Sequence, residues 1–172
     1  MITLAPHLVD IGYGFAFSAN ILALTMASLA VGKLVLGELL DRLGLKGAIS
    51  ISIMGSVFAY IGLFNAQHKL LLILVILGTG IGCAYGTMVD PYLTRSIFGE
   101  KDYSSIYGIL AAAASLGGML SPIVSGLSYD INGNYQNLLF QMGLLALALL
   151  LAAQWIFSHK NMQAVKEKWD LD

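Results

Sequence analysis

The sequence predicts an all-α membrane protein: a polytopic bundle of five full transmembrane helices, preceded by the end of another. Three observations carry this. The 172 residues are 58% hydrophobic and only 11% charged, whereas a soluble domain carries roughly 25% charged residues. Five long apolar stretches follow one another, separated by short polar connectors. None shows the strict alternation of barrel strands, which run about 10 residues. Too little polar chain remains to wrap five buried core helices in a water-facing shell.

The opening MITLAPHLVDIGYG has no basic leader, and Asp10 interrupts its apolar character. It reads as the last part of a span and an outer turn, not as a signal peptide. The five stretches that follow are Ser18–Leu40, Gly47–Phe64, Leu70–Val89, Ser104–Ser128 and Asn137–Phe157. Each reaches or nearly reaches the roughly 20 residues that cross about 30 Å of hydrocarbon as a helix. Lipid offers no partner for backbone N–H and C=O groups, so these spans must be helical. The expected connectors are DRLGLK, NAQHK, TRSIFGEKDY and YDINGNYQ. Asp41, Asn65, Asp130, Asn132 and Gly133 are turn or cap residue types within them. The chain therefore divides into residues 1–17 (end of a span and outer turn), 18–158 (five-helix bundle) and 159–172 (polar tail, read as a short helix).

Basic residues orient the bundle. Alternate loops place Arg42, Lys46, Arg95, Lys101, Lys160, Lys166 and Lys168 on one side and only Lys69 on the other. The basic side is expected to be cytoplasmic, with the C-terminus inside and the chain in a plasma (inner) membrane.

Composition also narrows the function. A net charge of −1 gives no electrostatic case for nucleic acid. The single cysteine, Cys83, excludes an intramolecular disulfide and a cysteine metal cluster. His7, His68 and His159 are scattered, and no phosphate loop or nucleophile elbow occurs. No enzyme, cofactor or metal site is expected. The expected partners are membrane lipid and a small solute, with an organic anion one option.

Within the spans, Gly78, Gly82 and Gly86 recur every four residues, and Gly118, Pro122 and Gly126 repeat the idea. Small residues along one helix face form a packing seam where backbones approach closely. Pro122 also removes one helical hydrogen bond and is expected to kink its helix. Lys33 lies about two helical turns before Asp41. It either snorkels toward the nearby surface or pairs with Glu38 or Asp90. Asp90 is a proton- or cation-handling group or an interfacial cap. Asn20, Thr25, Ser28, Tyr85, Tyr107 and Ser115 are polar groups that either touch a solute or bond a neighbouring helix.

Gly37, Asp41, Arg42, Gly44 and Lys46 form the pattern G-x-x-x-D-R-x-G-x-K. This resembles the signature of the major facilitator superfamily of secondary transporters, found between spans two and three and again between spans eight and nine. Leu45 stands where that signature usually carries another basic residue. HLVDIGYGFAFSANILALTMASLAVGKLVLGELLDRLG looks like the end of span seven, its outer turn and span eight. FGEKDYSSIYGILAAAASLGGMLSPIVSGLSYDINGNY looks like the loop after span ten and span eleven, in the style of the oxalate/formate and monocarboxylate branch. The resemblance implies the C-terminal half of a twelve-span carrier lacking most of span seven. It further implies alternating-access transport, with a missing N-terminal half or a second copy as partner. In that branch a basic residue in mid-span meets the substrate carboxylate, but here LALTMASLA in the middle of Ser18–Leu40 is uncharged. The solute class therefore stays open. By charge and spacing alone, Asp41, Arg42 and Lys46 are either a two-state latch or solvated topology markers. A non-transporting membrane scaffold, a regulatory subunit or an inactive remnant is the competing reading.

Overall fold

The computed structural model describes residues 3–100 and 102–156. The described chain is helical, without strands: α1 Leu4–Asp10, α2 Phe15–Phe64, α3 Leu72–Phe98, α4 Tyr103–Asn132 and α5 Gln136–Ile156, with a 3-10 turn at Lys69–Leu71. A straight α2 would be about 75 Å long at 1.5 Å per residue, more than twice the hydrocarbon thickness. It does not run straight. Gly44 has φ 69 and ψ −177, outside the helical region, and the chain doubles back there. Its two arms, 15–43 and 45–64, pack together: Ile21 and Leu63 share one buried cluster, and Leu40 and Ile49 share another. The bundle therefore has the five expected full spans, with two of them joined at a single residue.

The expected connectors are shorter than the sequence suggests. DRLGLK is helical on both sides of Gly44. TRSIFGEKDY is mostly helix, because α3 continues to Phe98 before Gly99 turns at φ 71. YDINGNYQ is likewise mostly α4, which ends at the left-handed Gly133 (φ 68, ψ 5). Polar residues are good helix formers once a helix emerges from hydrocarbon, so the end of an apolar run marks the lipid boundary and not the helix end. Helices stop where glycine takes a positive φ, a conformation other residues rarely adopt.

α3 is wedged between the two arms of α2. Gly80 faces Ser28 and Gly32 on the first arm, while Gly78 and Gly82 face Gly55, Ser56 and Ala59 on the second. Lipid removes the hydrophobic drive between helices, so close backbone approach supplies the van der Waals attraction. α4 is different: 6% of its membrane-length window is buried, against 44% for α2.

At the end opposite Gly44, polar contacts tie four helices together. Buried His7 donates through Nε2 to the Leu63 carbonyl at 3.1 Å. The Tyr13 hydroxyl is shared between the carbonyls of Ala66 (2.9 Å) and Gln67 (3.1 Å). The Tyr129 hydroxyl donates to Asp10 Oδ1 at 2.8 Å, and its ring meets Tyr135 at 4.7 Å.

Candidate functional site

The signature residues lie at the turn of the α2 hairpin. Gly44 supplies the reversal, and Asp41, Arg42 and Lys46 are exposed around it. Arg42 meets Glu38 at 2.6 Å within the same helix, both side chains remaining mostly exposed. Such a surface pair contributes only about 0.5 kcal/mol to stability. Gly37 is half-buried, and the nearest atom to a methyl there would be the flexible end of Met88 at 3.3 Å. Beyond the hairpin, at the same end, Arg95 pairs with Glu100 across the Gly99 turn. Lys101, Lys160, Lys166, Lys168 and the tail 159–172 lie outside the described residues.

Lys33 pairs with neither Glu38 nor Asp90 among the described residues. Glu38 is taken by Arg42, and Asp90 lies beside the Tyr85 hydroxyl. Lys33 is half-buried on the first arm of α2.

The polar residues of the spans divide between self-bonded and open. Thr25 is buried and donates to the Ile21 carbonyl at 2.7 Å. Ser115 is exposed and donates to the Ala111 carbonyl at 2.8 Å. Such bonds to the preceding turn satisfy a hydroxyl without a second helix. Ser28 packs on Gly80, Tyr107 stacks on Tyr103 at 5.5 Å, and Asn20 is exposed. Of these candidates, only Tyr85 and Asp90 meet each other.

The two glycine series behave differently. Gly78 and Gly82 sit at close crossings, but Gly86 faces only Asp90 of its own helix. Gly118 and Gly126 open onto space, with no atom within 4 Å of an added methyl. No second helix closes on the α4 row among the described residues, and Pro122 is likewise exposed there. The expected seam is thus an open face of α4 and not a contact within this bundle.

Sequence reasoning missed a cleft of about 390 Å³ beneath α4. Ser56 and Tyr60 of α2, Thr79 and Cys83 of α3, and Ser121 and Ser125 of α4 all line it. Hydroxyls spread over three helices have no shared sequence spacing, so no motif could reveal them. A second, more apolar cleft of about 580 Å³ lies between α2, α3 and α5 and includes Ser52, Tyr85 and Ala146. Neither cleft contains an acidic or basic side chain.

The family model for the Major Facilitator Superfamily matches residues 1–169. Monocarboxylate transporter 9 of Pongo abelii is 32% identical over 143 residues, covering 77% of this chain and 28% of the relative. Monocarboxylate transporter 9 of Gallus gallus is 30% identical over 132 residues, covering 72% of this chain and 25% of the relative. The chain thus spans about a quarter of the length of these curated relatives. No solved structure matches it. With its apolar helices, its doubled α2 and a family match over nearly its whole length, the chain is an integral membrane protein that belongs to the major facilitator superfamily.

Proposed function

We propose that this chain is the C-terminal half of a secondary transporter that moves a small solute by alternating access. The solute site lies near the midplane, between this half and an N-terminal half. Transport draws on an ion or solute gradient and not on ATP. The Gly44 hairpin carries the reading. It presents Asp41, Arg42 and Lys46 at one end of the bundle, without buried partners. Charges left uncommitted there are available to grip the other half in one state and release it in the other.

In a plasma (inner) membrane, the excess of Lys and Arg at the Gly44 end puts that end in the cytoplasm, together with the C-terminus. The relatives' names make a monocarboxylate the first solute to test. A carboxylate leaving water needs a cationic or hydrogen-bonding partner. The middle of these spans is uncharged, so that partner is Lys33 or a residue of the other half.

The test is uptake by proteoliposomes containing this chain, with and without a co-expressed N-terminal half of about six spans. Solute accumulation that needs both halves supports the proposal. Absence of uptake with both halves folded and associated points instead to a non-transporting scaffold.

A further inference from the structure

We propose that the cleft beneath α4 is the seat of one more membrane-spanning helix, which continues α1 on its N-terminal side and presents small residues to α4. The cleft has a direction. Its near end is formed by Thr3 and Leu4 of α1, Leu63 of α2, Leu138 of α5 and Ser125 of α4. Its far end is formed by Ser56, Cys83, Met142 and Gly117. α1 runs from this cleft outward to Asp10, which meets Tyr129. A helix extended backward from Thr3 therefore enters the cleft and passes these walls in order. Thr3 already has helical dihedrals (φ −83, ψ −9) and no side-chain cap.

The α4 wall suits a helix. Gly117, Ser121 and Ser125 lie four residues apart and all line the cleft, giving one face of small side chains over about 12 Å. A methyl at Gly117 would meet nothing within 4 Å. Ser125 supplies an independent sign that something is missing. It is 7% exposed, lines the cleft and has no hydrogen-bond partner. In lipid an unpaired hydroxyl is costly, and a helix packed against it offers a carbonyl or small polar side chain. The seat also accounts for α4, an apolar helix that otherwise buries little of itself.

Cys83, free and within the cleft, reports its occupancy. The chain is compared in bicelles with a form extended before Met1 by a helix of about 20 alanines and leucines, alanines toward α4. Alkylation of Cys83 by N-ethylmaleimide should be about tenfold slower in the extended chain, because thiol reactivity follows access. Ser121→Leu with Ser125→Leu in the extended chain should restore fast labelling by crowding the seat. Equal rates in the two chains, with the added segment helical by circular dichroism, would overturn the proposal. So would protection of the unextended chain that grows with protein-to-lipid ratio, since that assigns the cleft to a second copy. The proposal rests on the bundle reading above, but the labelling needs no solute and no second half, so it can fail or succeed independently of transport.

Discussion

Gly32 and Gly80 meet backbone to backbone where the first arm of α2 crosses α3: a methyl group on Gly32 would overlap the Gly80 carbonyl. Neither partner is a flexible side chain, so the helices must move apart to admit it. Gly32→Ala and Gly80→Ala should each destabilise the bundle by about 1–3 kcal/mol, the usual range for overpacking. Gly118→Ala and Gly126→Ala, which face open space, should stay within about 0.5 kcal/mol of the parent. Unfolding in mixed micelles with increasing SDS measures all four; equal losses would show that α3 is not wedged as described.

The hairpin turn depends on one residue. Gly44 at φ 69, ψ −177 occupies a region that is essentially glycine-only. Gly44→Ala should cost about 1–3 kcal/mol in the same assay. Gly37→Ala should be nearly neutral, because the Met88 methyl ahead of it can shift.

Arg42 separates fold from function. Its pair with Glu38 is exposed, so Arg42→Ala should change stability by less than about 0.5 kcal/mol. In a transporter reassembled from both halves, Arg42→Ala or Asp41→Ala should lower the uptake rate by about tenfold or more, equivalent to 1.4 kcal/mol, with expression retained. Parallel loss of expression and uptake would reduce the hairpin charges to topology markers.

His7 is a junction of α1, α2 and α5: buried, bonded to the Leu63 carbonyl and edge-on to the Tyr135 ring at 6.1 Å. His7→Ala removes a hydrogen bond and leaves a void, a loss of about 2–3 kcal/mol. His7→Gln should recover part of it, because its amide N–H can reach the same carbonyl. If both variants unfold like the parent, α1 is not anchored through this residue.

The spans were legible because hydrocarbon thickness fixes the length of apolar runs, and the reversal was legible at Gly44 within its charged pattern. The helix ends were not. Arg95 and Asn132 look like loop residues, yet both are helical in α3 and α4. The packing was half legible. Gly78 and Gly82 stood out by spacing, but Gly80 lies off that row because α3 needs a second small face for its second neighbour. Gly32 and Gly55 matter only once their partners are known, which no single helix's pattern reveals. The cleft walls, from Ser56 to Ser125, come together through tertiary placement alone.

Labelling single cysteines with a membrane-impermeant maleimide in intact cells tests the central claim most directly, using Cys83→Ser as the parent. Cysteines at Gln67 and Asn134 should react from outside, while those at Leu43 and Glu100 should react only after permeabilisation. Labelling of all four positions in intact cells, or of Leu43 and Gln67 from one side, would mean that the two arms of α2 do not each cross the membrane.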